Sequence, residues 1–151
     1  MEPSKIDVPN LTAPPPPSKG HELRDRAHPH CFACAPNHPA GLKMVFSDLP
    51  DGGVRTTFPC PDSFEGYPGY VHGGIISTLM DCAMANCLFA AGLQAVTAEL
   101  VVKFRRPVLI GSPVEIQARI VKDMNPLYAL EASVSQDGVV KANANAKFFL
   151  M

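Results

Sequence analysis

The chain has 151 residues, 46% hydrophobic and 18% charged, with a formal net charge of −1. That length suits one domain around one core. The near-neutral charge, without a basic run, argues against nucleic acid or an anionic membrane surface as a partner. No apolar run is read as reaching the roughly 18 residues of a membrane span. The opening MEPSKIDVPNLTAPPPPSKG lacks the apolar centre of a secretory signal. A cytoplasmic location follows as the expectation, and the odd count of five cysteines predicts reduced thiols rather than disulfides.

In chain order, residues 1–22 read as a proline-rich arm, with Pro14–Pro17 favouring extended polyproline. Residues 23–151 are assigned to the folded domain. Next comes a group of metal-type side chains: His28, His30, Cys31, Cys34 and His38. A firm zinc signal would add a second Cys pair at defined spacing. None follows, so the expectation is a folded strap with packed thiols and no metal. A period of two then appears. Leu42, Met44 and Phe46 share one face, and so do Val54, Thr56 and Phe58. The segment from Gly73–Ile75 to Gly92 reads as one long helix, with Gly92 as its C′ residue. Its apolar stripe is Ile76, Met80, Ala83, Cys87 and Ala91, widened by Ile75, Leu79 and Leu88. A helix so apolar and so rich in small residues is predicted to be buried. Four alternating strands follow, with predicted core faces at Ala98–Phe104, Val114–Ile120, Tyr128–Val134 and Val140–Phe148. Asp137-Gly138 marks a hairpin. The predicted class is α+β: one antiparallel sheet of five to six strands wrapped around a long central helix. That arrangement is the hotdog fold, and periodicity alone does not separate it from a generic α+β roll.

The chemistry concentrates in GYPGYVHGGIISTLMD, residues 66–81. Gly73 and Gly74 stand where the helix begins, so their N–H groups lack intrahelical partners. With the helix dipole they offer a site for developing negative charge, such as a thioester oxyanion. Absent side chains let a ligand approach the backbone. Asp81 is a lone acid on an apolar helix, where an unpaired carboxylate costs several kcal/mol. Ser77 or Thr78, one turn back, or a group across an interface would satisfy it. Asp81 lies seven residues beyond Gly74, ~10 Å along the axis. One carbonyl cannot reach both within one helix. If they act together, they come from two subunits of a symmetric dimer.

These residues resemble the PaaI-like hotdog acyl-CoA thioesterases of the 4-hydroxybenzoyl-CoA thioesterase superfamily. The specific likeness lies in Gly69–Asp81 and Thr97–Pro107, and element order extends it over about Gly41–Phe149. CFACAPNHPAGLKMVF also resembles the opening of a subgroup with a Cys-x-x-Cys pair. The resemblance implies that Asp81 is general base or nucleophile, and that Gly74 N–H, with Gly73, polarises the carbonyl. His72 shapes the loop, and Thr97 positions water or the acid. It implies coenzyme A along a dimer seam, with Lys103, Arg105 and Arg106 near its phosphates and Ser77 on the substrate side. The family's asparagine six residues before the histidine is replaced by Gly66.

The expected function is hydrolysis of an acyl-CoA by a homodimer or a dimer of such dimers. No cofactor is expected, coenzyme A being part of the substrate. The alternative is a non-catalytic acyl-CoA or fatty-acid binding hotdog protein. A hydratase of the same fold is a third reading, which needs a second polar residue on the helix.

Overall fold

The structure is a computed structural model, and it describes residues 16–151. The first fifteen residues, including most of the expected arm, lie outside the described residues. The elements are α1 (His21–Ala27), β1 (Ser47–Asp48), β2 (Val54–Phe58), α2 (Gly73–Ala90), β3 (Ala95–Phe104), β4 (Val114–Met124), β5 (Leu127–Gln136) and β6 (Val139–Leu150). The six strands form one antiparallel sheet in the order β1-β2-β4-β5-β6-β3. The sheet wraps α2, and the architecture is the hotdog fold expected.

The core lies between α2 and the inner sheet face. Ile76, Leu79, Met80, Ala83, Met84, Cys87 and Leu88 are buried there against Ile116, Leu130, Val134 and Phe148. Full burial of each Leu or Met contributes about 1.5–3 kcal/mol. Alanines on the facing strands, Ala118, Ala132, Ala142, Ala144 and Ala146, leave the space the helix occupies. α2 ends as predicted. Gly92 has φ +77, Leu93 N–H bonds to Leu88 O and Gly92 N–H to Phe89 O, the Schellman arrangement. Ala91, expected on the buried stripe, is exposed because it is the C-cap. By length and composition α2 would suffice to cross a membrane, contrary to expectation, but here it is the core helix with 61% of its window buried.

Three further expectations change. The alternation at Leu42, Met44 and Phe46 is real as burial, yet the ladder covers only Ser47–Asp48. The preceding residues pair instead with the strap, Leu42 N–H to Phe32 O and Met44 N–H to Ala33 O. The boundary expected at residue 22 runs through packed structure. Ser18 is buried, and a Cβ on Gly20 would stand 2.4 Å from Ala90 N, so only glycine lets the strap lie against α2. Finally, the core faces shift at bulges. Val140 is exposed, because the β5–β6 register changes between Val134 and Ser135. In β3 no residue is fully buried: Leu100 and Val102 are half-buried, Ala98 and Phe104 exposed. β3 is an edge strand, ten residues long, with Val96, Val101 and Phe104 open to solvent.

Candidate active site

The His-Gly-Gly loop is held from below. Tyr67-Pro68-Gly69-Tyr70 is a tight turn, closed by Tyr70 N–H to Tyr67 O at 2.9 Å, with Gly69 at φ +83. Proline second and a positive-φ glycine third are the type II pattern. Val71 N–H bonds to Val108 O and Ile110 N–H to Gly69 O, so the loop rests on residues 108–110. That segment is anchored in turn by Gln136, which is 1% exposed. Its Oε1 accepts from Leu109 N–H, and its Nε2 donates to Leu109 O and Ser112 O, each at 2.9 Å. Sequence reasoning missed Gln136, which directly precedes the Asp137-Gly138 hairpin. The signal was present: it continues the buried face Tyr128, Leu130, Ala132, Val134 as a polar residue.

At the start of α2, His72 is the N-cap, and its Nδ1 accepts from Gly74 N–H at 2.9 Å. This changes the expected role of Gly74. Its N–H is already occupied, and the donor with no partner among the described residues is Gly73 N–H. A Cβ on Gly74 would stand 3.0 Å from His72 Nδ1, so glycine is what lets the imidazole close over the helix end. Gly66 also packs here, 3.1 Å from His72 Cα measured from its would-be Cβ. Glu65, Gly66, Tyr67, Tyr70, Val71, His72 and Gly73 line a cleft of about 510 Å³, within the size range of ligand sites. His72→Ala is expected to lower stability by about 1 kcal/mol, the usual cost of an N-cap. His72→Asn, itself a good cap, is expected to restore it. Equilibrium denaturation of the two variants checks this.

Asp81 is half-buried. Thr97 Oγ1 donates to its Oδ1 at 2.7 Å, and Oδ2 carries no partner among the described residues. Ser77 and Thr78 do not reach it, because they bond back to Gly73 O and Gly74 O. Strict alternation would have turned Thr97 and Leu100 to opposite faces. The β3–β6 pairing steps from Thr97↔Phe148 to Glu99↔Lys147, leaving Ala98 as the extra residue. A bulge of this kind re-aims a side chain. It lets Thr97 meet Asp81 while Leu100 and Val102 pack on the same helix.

Further along β3, a Cβ on Gly73 would be 3.5 Å from the Phe104 ring. The exposed Lys103, Arg105 and Arg106 therefore stand at the glycine end of α2. Arg105 Nε bonds to Asn143 Oδ1. The structure thus gathers two groups. Gly66, His72 and Gly73 share the cleft. Asp81 and Thr97 form a separate pair outside its lining. Met80, Met84 and Phe89 are buried in the core rather than on the cleft.

A second polar group on α2 was not foreseen. Asn86 is buried, and its Nδ2 donates to Cys82 O at 2.9 Å and Cys82 Sγ at 3.5 Å. The neighbouring Cys82 thiol is the chief influence that holds Cys34 below the usual thiol range. Cys34 and burial together push Cys82 well above it. All five cysteines are free thiols.

Fold and site together define a hotdog protein with a capped glycine helix start and an acid held by a threonine on the sheet edge. Residues 68–123, which contain His72, Gly73, Asp81 and Thr97, match the thioesterase superfamily. Over 58 residues the chain is 34% identical to acyl-coenzyme A thioesterase THEM4 of Rattus norvegicus, a match that covers 38% of this chain and 25% of that protein. The chain thus spans about a quarter of the length of the curated relatives it matches. Among solved structures, a Streptococcus mutans UA159 protein bound to acetyl CoA superposes with a TM-score of 0.66 at 26% identity, over 72% of this chain and 86% of that one. The E. coli PaaI protein of the phenylacetic acid degradation operon shares the fold, with a TM-score of 0.68 at 19% identity over 73% of this chain and 80% of its own.

Proposed function

We propose that the chain is an acyl-CoA thioesterase that works as a symmetric homodimer. The observation that carries this reading is the Asp81–Thr97 pair, with one carboxylate oxygen bonded and the other without a partner among the described residues, beside an edge strand whose outer edge is free. Asp81 Oδ2 takes a proton from water as the water oxygen attacks the thioester carbonyl. The carbonyl oxygen, gaining charge, accepts from the free N–H of Gly73 of a second copy at a helix N-terminus. The carbon–sulfur bond then breaks. The free acid leaves, and coenzyme A departs as the thiol after taking up a proton. Arg105 and Arg106 at the same helix end suit the coenzyme's phosphates. The relatives' names and the acetyl CoA carried by the S. mutans protein support the substrate class.

The dimer draws on β3. A long apolar edge strand with free backbone groups is a template for another strand, and a second copy of β3 would cover Val96 and Val101. Binding without turnover is the second reading, favoured by the capped Gly74 N–H, which leaves one helix donor fewer for a carbonyl.

The test is a panel of acyl-CoAs, from acetyl through long aliphatic to aromatic, with release of free thiol as the readout. Turnover of at least one class is expected. Tight binding across the panel with no thiol released would replace the esterase with the binder.

A further inference from the structure

The geometry points to a structural metal site of zinc type, built on His28, Cys31 and Cys34 and completed by Cys82 of the central helix, that fastens the N-terminal strap to that helix. This goes beyond the proposed hydrolysis and departs from the expectation of no metal. The ring nitrogen of His28 and the sulfurs of Cys31 and Cys34 lie within 4.8 Å of one another. Cys34 Sγ is 3.7 Å from His28 Nδ1. Zinc–sulfur bonds of about 2.3 Å and zinc–nitrogen bonds of about 2.0–2.1 Å at tetrahedral angles give ligand separations of roughly 3.5–3.8 Å. The cluster therefore needs only a small contraction to close on an ion.

The fourth ligand comes from the helix. Cys82 is 5% exposed and lies beside Cys34 but outside the 4.8 Å group, so it completes the set by a shift of the strap toward α2. Three sulfurs and one imidazole are the Cys3His set of closed structural zinc sites, with no position left open for chemistry. The surroundings suit thiolates. Asn86 Nδ2 points at Cys82 Sγ, and Ala33 N–H points at Cys31 Sγ at 3.4 Å. Such outer hydrogen bonds orient ligands and temper their charge. His28 is held edge-on to Phe89, with ring centroids 4.9 Å apart. A redox Cys-x-x-Cys pair would use two sulfurs and would leave the third thiol and the imidazole unexplained. The single pair seen in the sequence is half a site, and His28 of the strap with Cys82 of α2 is the other half. His30 and His38 stand outside the cluster.

The site is next in sequence to Asp81, so an ion there would stiffen the part of α2 that carries the acid. The experiment uses the full chain, expressed without a metal-affinity tag and kept reduced. Metal content is measured as purified, and the protein is then stripped by a chelator and titrated with Zn2+ or Co2+. One zinc per chain is expected, with the visible absorption of tetrahedral thiolate-bound Co2+ and a rise in unfolding temperature on loading. Because Cys82 is buried and its variants risk misfolding, the partly exposed Cys31→Ser and His28→Gln carry the test. Each should weaken Zn2+ binding at least about tenfold, while His38→Gln binds as the parent does. Stripped protein that takes up less than a tenth of an equivalent of Zn2+, or variants that bind it as tightly as the parent, would overturn the site.

Discussion

Replacing Asp81 by asparagine leaves a folded protein that hydrolyses acyl-CoA about 10²–10⁴-fold more slowly, the range of a general base. The structure makes this substitution a clean one. Asparagine keeps the volume, and its side-chain oxygen still accepts from Thr97 Oγ1, as Asp81 Oδ1 does at 2.7 Å. What it lacks is a group able to hold a proton. Stability should change little, because Asp81 is half-exposed and its one partner is retained. Thiol release in the steady state measures the loss, and thermal unfolding of the same samples measures the fold. A variant within a few-fold of the parent rate would remove Asp81 from the chemistry.

The same residue allows base and nucleophile to be separated. In a single turnover in heavy-oxygen water, a general base delivers the heavy oxygen straight to the product acid. A nucleophile whose anhydride is opened by water at the aspartyl carbonyl gives the product an ordinary oxygen from its own carboxylate, and the label appears on the protein.

Much of the architecture is legible in the sequence because its signals are local. The long helix is marked by an apolar stripe and by Gly92, and both ends fall where the punctuation puts them. The strands β4, β5 and β6 follow from period two. What escapes is whatever depends on a register or on residues distant in the chain. Ala98 as a bulge is invisible to alternation, and only the bulge turns Thr97 toward Asp81. The candidate site residues were therefore legible one by one, while their grouping was not. His72 capping Gly74 is a local event that the histidine's position permits, yet the same glycine read as a free donor because unpaired N–H groups are the rule at a helix start. Cys82 carries no signal in the sequence beyond that of a reduced thiol on an apolar helix. Only the folded strap brings Cys34 against it.

Two inactive variants should restore activity to each other when mixed. Gly73→Val covers the free N–H at the helix start with a side chain. The fold can accept it, since a Cβ there meets only the Phe104 ring at an ordinary 3.5 Å. Asp81→Asn disables the acid at the other position. Alone, each dimer has both sites broken. If a site takes its N–H from one subunit and its acid from the other, a mixed dimer holds one site with both lesions and one with none. Random assortment makes half the dimers mixed, so about a quarter of the parent's activity should return after co-expression or subunit exchange. If acid and donor belong to the same chain, every site carries a lesion and no activity returns. The separation of Asp81 from Gly73, ~12 Å along one helix, favours the first result. So does the position of the Asp81–Thr97 pair outside the cleft that holds His72 and Gly73. The unpaired edge of β3 supplies the surface through which two copies would meet. Sedimentation of the parent as a dimer must accompany the rescue, because a monomeric protein with full activity would leave the shared site without a second subunit to share it.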